Sequence, residues 1–207
     1  MSRVEIDYTG EGRSDDAIAR KLIEAANGIA GTSYTRGRSA SGKQSLDRQL
    51  RGLNAGAQFR NPVLALRDLD QDAPCPGALI KSILPDRNPR MLLRICIRES
   101  ETWLMADAAG YAKFCGLEEP QIPKNLEDLA DPKRLILNWA DTGAASKLKR
   151  HVDNKRKTGV KDWALLGEWH AEFAANHWNP IKAAKSGRSA SLTKALARLR
   201  ELVKREA

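Results

Sequence analysis

The sequence predicts an α/β fold: an open, mainly parallel four-stranded sheet with helices on both faces, plus a C-terminal helical appendage. Three observations carry this. Short apolar runs alternate with helix-length amphipathic stretches as far as about residue 115. Val63-Leu64-Ala65-Leu66 is a short continuous apolar run, as a strand covered on both faces is, and Met91 to Ile97 reads as the next strand. The alternation stops near Gly116, where Pro120, Pro123 and Pro132 break the chain and only helical patterns follow. Residues 1–115 are therefore expected to form one α/β domain and 116–207 a helical appendage packed on it.

Each element has a local reason. Val4 to Tyr8 alternates with period two and reads as the first strand. Gly10-Glu11-Gly12-Arg13 turns the chain, and Ser14, Asp15 and Asp16 supply cap and first-turn acids for a helix through Ile23. A short strand is expected at Thr32 to Thr35 and a helix from Ser45 to Leu53. Asn61-Pro62 punctuates the chain before the strand at Val63, which ends abruptly in Arg67-Asp68-Leu69-Asp70. Pro76 to Leu84 reads as a helix, Met91 to Ile97 as the last strand, and Thr102 to Ala112 as one helix. Beyond Gly116, helices are expected near 132–139, 145–152 and 162–176. A terminal helix carries an apolar stripe of Leu192, Leu196, Leu199 and Val203. Four tryptophans after residue 130 are expected to pack a helical core.

Composition narrows the function. No apolar run approaches the roughly 18 residues of a membrane span, and Met1 leads directly into a strand-like pattern, so a cytoplasmic protein without membrane attachment is expected. Cys75, Cys96 and Cys115 form no C-x-x-C pair and read as reduced thiols. The net charge of +9 favours a polyanionic partner. Lys147, Lys149, Arg150, Lys155, Arg156, Lys157 and Lys161, opposed within their stretch only by Asp153, form a candidate phosphate-contacting arm for DNA or RNA.

The acids point to chemistry. Glu11, the pair Asp68 and Asp70, and the pair Glu99 and Glu101 each follow a strand, and ligands of open α/β sheets bind beyond the carboxyl ends of the strands. Residues i and i+2 of an extended chain point the same way, so each pair is expected to face one point. Asp15, four residues after Glu11, can join them. Crowded carboxylates repel unless a cation neutralises them. Hard oxygen donors with no neighbouring His or Cys favour Mg²⁺ or Mn²⁺. Two such ions can activate a water and stabilise the leaving oxygen of a phosphodiester.

Gly10-Glu11-Gly12-Arg13-Ser14-Asp15, Leu66-Arg67-Asp68-Leu69-Asp70 and the segment Arg98 to Asp107, with its Glu-x-Trp-Leu-x-Ala-Asp pattern, resemble the motifs of a bacterial Toprim-like family. That family is related to the OLD (overcoming lysogenization defect) nucleases and abortive-infection proteins. The resemblance covers residues 1–115 and, more loosely, Ser186–Leu192. It implies a Toprim-like catalytic domain, a two-metal nuclease site and a role in anti-phage defence beside a separate ABC- or SMC-type ATPase. In it Glu11 and Asp15 match the first motif, Asp68 and Asp70 the second, and Glu99 and Glu101 the further acid. A downstream lysine is implied as well, with Lys182 and Lys185 as candidates, Lys185 being assigned the catalytic role.

Two other readings compete. Gly37 to Gln44 nearly fits the phosphate-binding G-x-x-x-x-G-K-[ST] pattern of P-loop proteins, but Gln44 stands where a hydroxyl is needed. A nucleic-acid-binding adaptor without catalysis would use the same basic stretch. His151, His170 and His177 suggest no hydrolase triad.

Overall fold

The computed structural model describes residues 3–35 and 42–207, and of Trp163 the backbone only. Strands β1 (Glu5–Thr9), β2 (Ile29–Ser33), β3 (Val63–Asp68) and β4 (Met91–Cys96) form one sheet in the order β2-β1-β3-β4. Every pairing is parallel. β3 is interior and buried along its whole length. Its alternation shows why the run is apolar throughout: Leu64 and Leu66 enter one hydrophobic cluster, Val63 and Ala65 another.

Those two clusters are the two faces of the sheet. On one lie α2 (Lys43–Gly56), through Leu46 and Leu50, and α3 (Pro76–Ile83), through Leu79. On the other lies α1 (Arg13–Ala25), whose Ile18, Leu22 and Ile23 meet Ile6 and Tyr8 of β1. The chain moves from β1 outward to β2, then returns past β1 to β3 and on to β4. The direction of winding thus reverses between β1 and β3. Right-handed crossovers place the connecting helices on opposite faces at such a reversal and open a crevice above the strand ends.

The α1 face is completed by α4 (Glu101–Met105), α5 (Ala108–Cys115), α6 (Pro132–Asp141), α7 (Ser146–Arg156), α8 (Asp162–Asn176), α9 (Pro180–Lys185) and α10 (Ala190–Glu206). α8 lies along α1, and α10 packs on β4 and α9. One hydrophobic cluster runs from Ile6 to Val203 and takes residues from both sides of Gly116. Leu192, Leu196, Leu199 and Val203 are buried in it, as are Trp139 and Trp178. Trp103, fully buried, donates its indole N–H to Ser191 Oγ at 2.8 Å and ties the segment after β4 to the last helix.

Two elements differ from the sequence expectation. β2 begins at Ile29, not Thr32. Asn27 takes a left-handed φ of 67° and Gly28 follows, packed so closely that an added Cβ would stand 2.9 Å from Ile23 Cγ2. The chain therefore re-enters the sheet at once. The single helix expected from Thr102 to Ala112 is two, α4 and α5, broken at Asp107, whose ψ of 68° is not helical. The Asp107 carboxylate instead accepts the Asn179 N–H at 3.2 Å and pairs with Lys182 at 3.2 Å, which ties the break to α9.

Candidate active site

Glu11 leaves the end of β1 and reaches across the reversal to β3. Its Oε1 accepts the backbone N–H of Asp68 at 3.0 Å and lies 3.3 Å from the Arg67 guanidinium. Asp15, in the first turn of α1, turns its Oδ2 back to the N–H groups of Glu11 and Gly12, at 2.9 and 3.1 Å. It both caps α1 and holds the Glu11 turn. Gly10 is required there, since a Cβ would fall 2.3 Å from Asp15 Cβ.

Asp68 ends β3. Its Oδ1 accepts the N–H of Ser100 at 2.8 Å, which locks the β3 end to the loop after β4. Asp68 is 7 % exposed, Asp15 5 % and Glu101 2 %. Glu101 begins α4, and Glu99 sits in the turn before it. All three acids of this side meet Lys133 at the N-terminus of α6. Its ammonium stands 2.9 Å from Glu99, 3.6 Å from Glu101 and 3.7 Å from Asp68. Glu99 also accepts the Lys133 backbone N–H at 3.0 Å.

The electrostatics follow from that crowding. Burial, then the neighbouring Asp15, pushes Glu11 up to about 7. Burial pushes Asp15 to about 6 and Asp68 well above its ordinary value, with Asp15, Glu101 and Glu11 adding to the latter. Burial and Glu101 raise Glu99. Burial acts to raise Glu101 too, but His170 and Lys133 outweigh it and hold this carboxyl at about 2. Five acids thus share two cations, Lys133 and Arg67, and Arg67 is divided further between Asp47 and Asp72.

Asp70 is placed differently from the expectation that it points with Asp68. It adopts φ 47°, so the two-residue alternation ends at Asp68, and its carboxylate pairs with Lys43 at 3.1 Å. It remains close enough to help raise Glu11. Asp70, Asp72, Lys43, Arg98, Glu99 and Asp131 line a cleft of about 350 Å³ beside the carboxylates. A larger groove of about 570 Å³ between α1 and α8 has a lining of mixed charge and none of the five acids.

Lys182 pairs with Asp107, and the exposed Lys185 makes no ion pair among the described residues. The lysine at the acids is Lys133, which the sequence reading missed. One signal was available: Pro132 starts α6, so Lys133 places a cation in a first helical turn, where the helix dipole disfavours it unless acids are near.

As the side chains stand, no three His, Cys, Asp or Glu residues among those described gather tightly enough to hold a metal ion. The Lys133 ammonium stands among three of the acids, Asp68, Glu99 and Glu101. The donor set nevertheless fits a hard divalent cation. It is all carboxylate, and Glu101 Oε2 is buried without a hydrogen-bond partner among the described residues.

Much of the basic stretch is engaged internally. Lys149 pairs with Asp153, Lys155 with Glu168, and Arg156 with both Asp141 and Asp162. Lys147 donates to the Lys113 carbonyl. Arg150, Lys157 and Lys161 have no ion pair among the described residues. Of the P-loop-like stretch, Gly37 to Ser41 lies outside the described residues, while Gly42 precedes α2 and Lys43 is held by Asp70 and Asp72. The described helices include none long and apolar enough to cross a membrane. The chain matches no protein-family model, no curated protein and no solved structure.

Proposed function

We propose that this protein is a Mg²⁺- or Mn²⁺-dependent nuclease that cleaves phosphodiester bonds of DNA or RNA. One observation carries the reading. Glu11, Asp15, Asp68, Glu99 and Glu101 converge beyond the strand ends at the winding reversal, with more negative charge than Lys133 and Arg67 neutralise. Without another cation such a cluster tends to hold protons near neutral pH, which is what the raised Glu11 and Asp68 express. The acids Glu11, Asp68, Glu99 and Glu101 would hold the metal, with Asp15 orienting Glu11 and Asp70 joining from the cleft.

When bound there, a divalent ion supplies Lewis acidity toward the phosphate and lowers the pKa of an attacking water. The chain's own groups do the rest. Asp68 and Glu11 are fixed by backbone N–H groups, so little reorganisation is needed. Lys133, partly solvent-facing, can turn its ammonium toward a phosphate oxygen. Lys43 and Arg98 in the adjoining cleft, and Arg150, Lys157 and Lys161 farther along the chain, can contact backbone phosphates without reading bases. Free thiols at Cys75, Cys96 and Cys115 and a nucleic-acid substrate fit a cytoplasmic setting. A separate ABC- or SMC-type ATPase partner and a role in anti-phage defence belong to the same proposal.

A second reading is favoured by Lys133 itself. An ammonium already among the acids suits a nucleic-acid-binding adaptor that lacks the chemistry. Incubation of the purified chain with single- and double-stranded DNA and RNA, with Mn²⁺, Mg²⁺ or EDTA, decides between them. Metal-dependent strand scission that Asp68→Asn removes supports the nuclease; metal-independent binding with no covalent change of any substrate supports the adaptor.

A further inference from the structure

We infer that His170 is a positioning residue, which presents its ring Nδ1–H to Glu101 and so keeps the other carboxylate oxygen turned toward the acid cluster. The inference rests on the metal-site reading above and adds to it a residue from a distant helix. His170 lies on α8 and is completely buried. Its Nδ1 stands 3.4 Å from Glu101 Oε1, while Glu101 Oε2 faces Lys133 at 3.6 Å. The two oxygens of this acid are thus divided, one to the histidine and one to the site.

The opposite edge of the ring bears on which nitrogen carries the proton. His170 Nε2 lies 2.8 Å from the hydroxyl of Tyr111, on α5. Tyr111 is fully buried, and that burial pushes its phenol well above the usual range, so it is an O–H group. Its other neighbour, the Cys115 thiol, also receives the Trp169 indole N–H and is a weaker acceptor than a ring nitrogen. In the inferred arrangement the Tyr111 hydroxyl donates to Nε2, and the ring proton is on Nδ1, facing Glu101.

At 3.4 Å the Nδ1–Glu101 contact is long, and among the described residues neither His170 Nδ1 nor Glu101 Oε2 has a hydrogen bond that meets strict geometry. A pair in that state tightens when the carboxylate is drawn to a cation, as site hydrogen bonds do on loading. The chain Tyr111–His170–Glu101 resembles in its logic the outer-shell partners that orient metal-binding carboxylates elsewhere.

The test uses the full chain with two near-isosteric substitutions. An Asn amide nitrogen overlies Nδ1 of a histidine, and a Gln amide nitrogen overlies Nε2. His170→Asn is expected to keep Mn²⁺ affinity, measured by calorimetry, within about threefold, while His170→Gln loses about 10- to 100-fold. Equal affinities for the two variants overturn the inference, since a role in core packing alone does not distinguish them. Nitrogen NMR of the His170 ring, metal-free, gives a readout independent of loading. The Nδ1–H tautomer, with a signal that moves on Glu101→Gln, is expected; the Nε2–H tautomer overturns it. A wild-type chain that binds no Mn²⁺ sinks the metal reading, and the tautomer then decides the His170–Glu101 contact by itself.

Discussion

Replacing Lys133 by methionine keeps most of its volume and removes its charge. Three carboxylates lose a partner at 2.9, 3.6 and 3.7 Å. At an effective dielectric of about 20, each attraction is roughly 4 to 6 kcal/mol before solvation. The net loss is far smaller, because the acids can take up protons and the lysine side chain is 34 % exposed. Breaking a buried pair costs about 3–5 kcal/mol, and discounting for that exposure leaves about 2–4. For a chain of this size that is a fall of roughly 5 to 15 °C in Tm. The pH dependence is diagnostic. Without Lys133, Glu101 loses one of the partners that hold it at about 2, and Asp68 and Glu99 rise further. Acids raised above their unfolded values leave stability intact at low pH and remove it as pH rises through the folded values. The deficit of Lys133→Met should therefore be large at pH 8 and small at pH 5. Because a divalent ion can replace the missing charge, saturating Mn²⁺ should raise the Tm of the variant more than that of the wild type. Calorimetric melts at both pH values, with and without Mn²⁺, measure this. A deficit equal at pH 5 and pH 8 and untouched by Mn²⁺ would refute the assignment of Lys133 as the counter-charge of the acids.

Asp68→Asn keeps an acceptor for the Ser100 N–H and removes one charge from the crowd, so cleavage should fall to background while Tm at pH 7.5 stays level or rises; a marked drop in Tm would give Asp68 a structural role instead. Apparent Mn²⁺ affinity should climb as pH rises from about 5.5 to above 7, as Asp15 near 6, Glu11 near 7 and the raised Asp68 lose their protons. Metal-free stability should move the opposite way, falling between about pH 4.5 and 7 by up to about 1.4 kcal/mol for each unit that Glu11 is raised. Calorimetry in buffers of different ionisation enthalpy checks the protons released on binding. Substituting Arg150, Lys157 and Lys161 together by glutamine should flatten the salt dependence of nucleic-acid binding by about 0.7 to 0.9 log units for each phosphate that is no longer neutralised, without lowering Tm. The Arg156→Gln change should instead cost stability, by up to about 1 kcal/mol, because Arg156 joins α7 to Asp141 and Asp162.

The sheet was legible because burial on both faces leaves a local mark. Val63 to Leu66 carries none of the alternation that a solvent-facing strand would show, and it lies in the sheet interior with a cluster on either side. β2 was placed late because it is a partly exposed edge strand. Ile29-Ala30-Gly31-Thr32-Ser33 has little apolar content, and its start is set by the packing of Gly28 on Ile23. The break between α4 and α5 has the same character. Asp107 leaves the helix for partners on α9, more than 70 residues away.

The site divides along the same line between local and distant causes. Glu11, Asp68 and Glu101 were readable from their position at strand ends, since parallel strands bring all their carboxyl ends to one edge. Asp70 and Arg98 broke the simple rule. Both take positive φ, at 47° and 62°, and the chain stays joined there by the Asp70 N–H to the Arg98 carbonyl. Beyond that point, residues two apart no longer share a direction, and Asp70 turns to Lys43. His170 was out of reach of pattern reading altogether, and Lys133 left only the trace of a cation in a first helical turn. Each lies on a helix beyond Gly116, and each meets Glu101 only because α6 and α8 pack against α4. The state of the acids is therefore set by residues on which the strand-end motifs have no bearing. It follows that transplanting residues 1–115 alone would carry the motifs without the Lys133 charge and the His170 contact that hold Glu101 ionised.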